Sequence, residues 1–428
     1  MKVLVILLAV VSVTAAREET NRVVLNAKFI GELAESARTN HPGMRAAEAR
    51  VRAATKGERA ISLWEDPEVI FGGMVGNGVM RREEGDLIYG VDQKLPITGK
   101  PQAERARARA ERDMEEASRE YRFQGLRKEI AQVAFKAALA EEILKISQED
   151  QEWVATMLVT TGERYKSGRA TQVELLRMET EHAARGEQLR VAARSRDSQL
   201  LALNRLSNRP LETSWPEFGL PDLARPLASS ERLFNLMTRF EPRLAVMRRE
   251  IEVAKAAAEA ARRARRPDFM LSVEGRQFAG DGQFKEGAVL FKMSLPWFNG
   301  KKYSAMYDRE KDRVEAATWE ADAYAAQVRE DLSQLIIRIE NARRQALLYK
   351  NDIIPRTEQT LTVAQSSWEN GRTLFHDVLD ARRLLLEGRM NYARAVADQY
   401  IALSELVLCC GLGDLESVEL YQNATEAK

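Results

Sequence analysis

The sequence predicts a mainly α fold with a small β part, built twice from one plan. Three observations predict it. Pro42 and Pro67 recur as Pro242 and Pro267, and Leu95-Pro96 recurs as Leu295-Pro296, all at an offset of 200 residues. Short runs alternate apolar and polar residues with period two, and they fall at equivalent places in both halves. Long stretches repeat apolar residues at steps of three and four, the mark of a coiled-coil seam. A long-period duplication settles the architecture before any single residue is read. Each half should carry a helix, two strands, a very long helix, a Gly turn and a return helix.

The elements follow in order. Residues 1–16 read as a signal peptide: Lys2, then an apolar run from Val3 to Val13, then Thr14-Ala15-Ala16 as a cleavage site. An uncleaved anchor is the other reading, but the run is shorter than the ~20 residues a span needs. Residues 26–64 and 229–265 read as matching helices, each ending before a proline. The strand pairs lie in 68–95 and 268–295. Leu87, Tyr89 and Val91 oppose Asp92; Phe269, Leu271 and Val273 oppose Ser272 and Glu274; Val289, Phe291, Met293 and Leu295 oppose Lys292 and Ser294. Such patterning suits a half-buried strand, or a barrel strand with one face in lipid and one in water. Polar loops, Gly76 to Asp86 and Gly280 to Gly287, separate the strands of each pair.

The long helix of the first half runs from about Lys100 to Tyr165 on the seam Leu126, Ile130, Val133, Ala137, Ala140, Leu144 and Val154. At 1.5 Å per residue it would be about 100 Å long. The second half repeats the seam from Ala321 through Val328, Leu332, Leu335, Ile339, Ala342 and Ala346, until Pro355 breaks it. By then the register has slipped by three, and Tyr165-Lys166-Ser167-Gly168 answers Trp368-Glu369-Asn370-Gly371. The repeats thus span 17–208 and 229–416, joined by a Pro-rich linker at 209–228 and followed by a tail at 417–428. Trp215 and Phe218 in the linker call for a packing partner.

Composition narrows the function. Lys+Arg 65 against Asp+Glu 64 leaves a net charge of +1, which argues against a nucleic-acid surface. His41, His182 and His376 are scattered, and no His, Cys or carboxylate spacing points to a metal site. No nucleophile–base motif, Walker loop or dinucleotide fingerprint appears, so no enzyme or cofactor is expected. Cys409 and Cys410 are adjacent, which disfavours a structural disulfide, and neither lies where N-terminal lipidation could use it.

Four strands cannot close a barrel, which needs about eight. An open sheet in lipid would leave unpaired backbone groups at several kcal/mol each. The sheet must therefore close between subunits. A homotrimer gives a twelve-stranded transmembrane barrel, a trimeric α/β barrel continuous with a helical tunnel.

Here the chain resembles the TolC-type outer-membrane efflux channel family. The resemblance rests on the duplication with strand pairs in both halves, Asn40-His41-Pro42 and Glu241-Pro242 opening the repeats, and Trp368-x-x-Gly371 followed by Asp377-Val378-Leu379-Asp380-Ala381. It implies a homotrimeric conduit through outer membrane and periplasm, docked through a periplasmic adaptor onto an inner-membrane pump. The alternatives are a periplasmic coiled-coil adaptor or a structural coiled coil. The first should show consecutive strands of a lipoyl-like domain, and the second has no use for duplicated strand pairs. Which metal ion, drug or protein passes is not written in the chain.

The resemblance also places a gate. Asp377 and Asp380 match carboxylates that ring the narrow entrance; in a trimer each becomes a ring of three, which favours cations. A solvated helix start, where Asp is favoured, is the plainer reading. Trp368 stands where the family commonly has Tyr, and Thr373 where some members have a latching Arg. In the first half Glu174 replaces Asp377 and Arg177 replaces Asp380, so Arg177 is a candidate substitute latch or a surface ion pair. Gly168 and Gly371 end their helices at the pump-facing tip, where Lys166, Arg169 and Arg372 would meet the adaptor.

Overall fold

The computed structural model describes residues 22–73, 87–227, 230–278, 282–413 and 415. The expected signal peptide, the tail and the Gly76 to Asp86 loop lie outside them. A two-residue strand β1 (Val23–Val24) leads into α1 (Ala27–Asn40) and α2 (Pro42–Ala60), then β2 (Glu68–Gly73) and β3 (Leu87–Leu95). The long helix α3 (Lys100–Lys166) turns into α4 (Gln172–Leu206), and the linker carries β4 (Phe218–Gly219). The second repeat follows as α5 (Ser230–Phe240), α6 (Pro242–Ala264), β5 (Phe269–Gln277) and β6 (Phe284–Met293). It ends in α7 (Gly300–Leu348), a π-turn (Tyr349–Ile353), α8 (Ile354–Glu369) and α9 (Phe375–Cys409).

Three sequence expectations need correction. The single helices expected at 26–64 and 229–265 are each two helices, broken at the proline that opens the repeat. Pro42 and Pro242 sit in the first turn of α2 and α6, where a missing N–H costs nothing. His41 and Glu241 cap those turns, His41 Nδ1 accepting from the Gly43 N–H at 3.1 Å and Glu241 Oε2 from the Leu244 N–H at 2.5 Å. Pro355 does not break the second long helix. The chain widens into the π-turn just ahead of it, which leaves the proline in the first turn of α8 and keeps the rod continuous. The loop expected from Gly280 to Gly287 is shorter, because β6 already begins at Phe284.

The four long strands form one antiparallel sheet in the order β2-β3-β5-β6. Its register lines up Val69, Val91, Val273 and Val289 across all four strands. They are 76, 45, 52 and 73% exposed, so this apolar face has no partner within the protomer. Phe71, Tyr89, Leu271 and Phe291 lie on the same face. Tyr89 lies over Gly275, where an added Cβ would stand 2.7 Å from its ring. The opposite face is polar: Asp92 accepts from the Ser272 hydroxyl and from Lys292 Nζ at 2.8 Å, and both Asp92 and Ser272 are buried.

The seams are buried as their periodicity requires. Ile130, Ala134, Ala137 and Ala138 of α3 pack with Ile30, Ala34 and Phe218. Leu332, Leu335 and Ile339 of α7 pack with Leu403 and Leu406 of α9. The linker is part of this body. Phe218 is fully buried, Trp215 Nε1 donates to Asn204 Oδ1 at 2.6 Å, and β4 pairs with β1.

Candidate functional site

The end of the molecule remote from the sheet is made by two turns of the same design. In the first, the Gly168 N–H bonds the Tyr165 carbonyl at 3.0 Å and the Arg169 N–H bonds the Arg164 carbonyl at 2.7 Å. In the second, Gly371 bonds Trp368 at 2.9 Å and Arg372 bonds Ser367 at 2.8 Å. Both glycines are left-handed, with φ of 70° and 71°, as this helix stop demands. The return helices then start alike. Glu174 Oε2 accepts from the Thr171 N–H at 2.7 Å, and Asp377 Oδ2 accepts from the Leu374 N–H at 3.2 Å. Thr171 answers by accepting from the Glu174 N–H at 3.3 Å, closing a capping box. Leu374 has no side-chain acceptor, so the second box is half made.

Asp377 is exposed, and Asp380 is held by His376 Nε2 at 2.9 Å, one helical turn away. Thr373, Arg177, Arg169 and Arg372 are exposed; among the described residues none of these three arginines pairs with a carboxylate of its own protomer. Lys166 is exposed and bonds Glu163 at 2.8 Å. Trp368 is placed otherwise. It is 4% exposed and packs on Phe375 with ring centroids 5.2 Å apart, inside a core shared with Met157, Met178 and Val378.

Sequence reasoning missed the side chains that tie the two hairpins together. At the tip, Arg164 of α3 lays its guanidinium 4.4 Å from the Trp368 ring centroid. It also donates to the terminal carbonyls of α8, Trp368 at 3.3 Å and Glu369 at 3.2 Å. Higher up, Asp150 of α3 accepts from Arg382 Nε of α9 at 2.9 Å, and Arg185 Nε of α4 lies 3.2 Å from its other oxygen. Glu181 joins the cluster by pairing with Arg185 at 3.2 Å and with Arg383. The side chain of Asp150 is 4% exposed and that of Arg382 11%. A carboxylate this deeply buried survives because two guanidiniums satisfy it. Above the cluster α9 passes the π-turn at Gly388, where a methyl group would sit 3.5 Å from both Ile353 and Ile354. Asn391 donates to the Tyr349 hydroxyl there at 3.2 Å. The only sequence hint of these ties was the mismatch between halves: Arg164 stands where the second repeat has Ser367.

Among the described residues there is no group of three metal-ligating side chains and no helix apolar enough to cross a membrane. What the geometry offers is a long helical body with a charged tip at one end and a sheet with an apolar outer face at the other. A family model described as outer membrane efflux protein matches the chain twice, over residues 33–209 and 236–412. The chain belongs to that family. It is an outer-membrane channel of a tripartite efflux system, extends into the periplasm and is not an enzyme. Channels of this family are trimers that work with an adaptor and a pump.

One relative is the cobalt-zinc-cadmium resistance protein CzcC of Cupriavidus metallidurans, 24% identical over 292 residues that cover 66% of each chain. The fold is that of the Vibrio cholerae outer membrane protein VceC, with a TM-score of 0.76 at 17% identity, covering 90% of this chain and 97% of that one. The outer-membrane channel OprN matches with a TM-score of 0.78 at 17% identity, covering 90% of both chains. With the exposed valine ladder on one face and Asp92, Ser272 and Lys292 on the other, the sheet has the two-sided pattern of a wall between lipid and water.

Proposed function

We propose that the tip is the periplasmic entrance of a cation-conducting channel, with Asp377 and Asp380 as its constriction. The observation that carries the reading is that these carboxylates start α9 next to the Gly371 turn, with Asp377 exposed and Asp380 half-buried, while Phe375, Val378 and Leu379 of the same helix start are packed away. Three-fold repetition would make two carboxylate rings, which attract cations and oppose anions. The name of the relative CzcC supports divalent metal cations as cargo. Thr373 brings no charge to the entrance. Arg177 is free to reach Asp377 or Asp380 of a neighbouring subunit and so replaces the missing latch. Trp368 contributes by packing, since its ring anchors Arg164.

The edges of β2 and β6 each pair on one side only among the described residues. Adding β6 of one subunit to β2 of the next closes a twelve-stranded barrel, which removes the unpaired edges lipid would forbid. The Lys166, Gly168 and Arg169 turn and the Gly371 and Arg372 turn then face the adaptor as three pairs of exposed tips. The domain plan is a cleaved export signal at 1–16, repeats at 17–208 and 229–416, the linker at 209–228 and a tail at 417–428. Opening requires α8 and the lower part of α9 to swing about the π-turn while α3 and α4 hold the tunnel wall. Replacing Asp377 and Asp380 together with Ala should lower the cation selectivity of the reconstituted pore at unchanged trimer yield. Selectivity equal to that of the unmodified channel would leave both residues as helix-start groups only.

A further inference from the structure

The two repeats hand the chain into the membrane differently. Ahead of its first long strand, the first repeat reads Ile61-Ser-Leu-Trp-Glu-Asp66, whereas the second reads Arg262-Arg263-Ala-Arg265-Arg266. After the strand pair, the first continues Gly99-Lys100-Pro101 and the second Gly300-Lys301-Lys302. Several of these cations are already used. Lys100 pairs with Asp268 at 2.9 Å, and Arg262 with Glu259 at 2.7 Å. Arg263 and Arg266 donate to the Gly99 and Thr98 carbonyls at 2.9 and 2.8 Å and so hold the turn after β3.

With Arg266 spent on the Thr98 carbonyl, three further cations are left without a carboxylate. Lys301 and Lys302 are exposed and have no acidic partner among the described residues. Arg265 donates to the Ser304 hydroxyl at 3.0 Å and lies 5.1 Å from the Tyr307 ring centroid, again with no acid. Ser304 is three residues beyond Lys301, which puts Arg265 and Lys301 on one face of α7. Just ahead, on the turn between β6 and α7, Trp297 is 57% and Phe298 79% exposed. They continue the apolar face of β6 that ends in Phe291 and Met293. Aromatic rings at the rim of a lipid-facing surface, followed within one turn by unpaired cations, match the boundary between acyl chains and headgroups.

We propose that Arg265, Lys301 and Lys302, backed by Trp297 and Phe298, bind anionic phospholipid headgroups at the periplasmic edge of the barrel, one sector per subunit. The inference does not depend on the tip; it rests on the outer-membrane placement alone. The second repeat carries the site because Lys100, at the matching turn of the first, is already paired with Asp268. Its occupant is a bilayer lipid, since the rings beside the cations extend the surface already in contact with lipid.

The test uses the purified trimer in detergent, titrated with phosphatidylglycerol or with phosphatidylcholine and read by native mass spectrometry. The trimer should retain phosphatidylglycerol preferentially. Lys301→Gln with Lys302→Gln should weaken that retention by roughly fivefold per lysine, with trimer and conductance intact. Arg265 is left in place in that variant so that its contacts to Ser304 and Tyr307 still support the helix. Equal retention of both lipids, unchanged phosphatidylglycerol retention in the variant, or displacement of the lipid by an equal concentration of soluble glycerol phosphate would each overturn the proposal.

Discussion

Replacing Asp150 should loosen the channel more than any exposed charge at the tip. Asp150→Asn keeps the shape of the side chain but removes the charge that faces two guanidiniums, Arg382 at 2.9 Å and Arg185 at 3.2 Å. Breaking a buried pair by removing one partner costs about 3–5 kcal/mol, because the remaining charge stays desolvated. Here the lower figure applies. Arg185 retains Glu181 at 3.2 Å, and Arg382 retains the Trp153 ring 4.9 Å away. The expected loss is therefore about 3 kcal/mol per subunit. Replacing the pair by apolar groups, Asp150→Leu with Arg382→Met, removes Asp150 and Arg382 together, leaves Arg185 to Glu181, and should cost under about 1 kcal/mol. With Asp150→Leu and Arg382→Met also made singly, the coupling energy from that cycle should be on the order of 2 kcal/mol or more. Guanidinium unfolding of the solubilised trimer, followed by helical circular dichroism, measures it. Single-channel recording should show more frequent opening for Asp150→Asn, because α9 is freed below the π-turn. A loss under about 0.5 kcal/mol, or additive single effects, would refute the claim that this cluster holds the two hairpins together.

Two further outcomes follow from groups remote from the tip. His41 caps α2 through its neutral Nδ1, and burial first, then Arg205, lowers its pKa below 6.5 against a smaller opposing effect of Glu129. A group whose proton is disfavoured in the fold stabilises it fully above the unfolded value near 6.5 and loses that contribution as pH falls toward the folded value. His41→Asn keeps a capping acceptor without titrating, so its stability should fall less between pH 7 and pH 5 than that of the unmodified protein; parallel decline would contradict this. Burial pushes the thiols of Cys409 and Cys410 up to about 11 and about 12. Both should resist maleimide in the folded trimer and react only after denaturation; mass spectrometry showing Cys410 modified in the native protein would exclude the buried arrangement.

Much of the fold was legible because its signals are local. Alternation at Val273 and Val289, the three-and-four seam through Ile130 and Ile339, and Gly at 168 and 371 each report on neighbours a few residues away. The split at Pro42 and Pro242 was missed because proline is welcome in the first turn of a helix, so its presence does not announce that the preceding helix has ended. The π-turn was missed for a related reason. Pro355 signals a lost hydrogen bond, but whether the helix stops or widens depends on what packs against it, and Gly388 lets α9 pack there. The tip was half legible. Its turns and the carboxylates at Glu174 and Asp377 could be read, but the burial of Trp368 could not.

The sequence by itself determined the repeat, the strand pairs, the long seamed helices and the need for a closed sheet, since each follows from backbone hydrogen bonding and periodic apolar surface. Only the tertiary structure decided which of the 65 cations matter. Arg164 and Arg382 reach partners more than 200 residues away, at Trp368 and Asp150. No periodicity marks such pairs, because a contact of this kind is selected by where two helices cross and by how much water the crossing excludes.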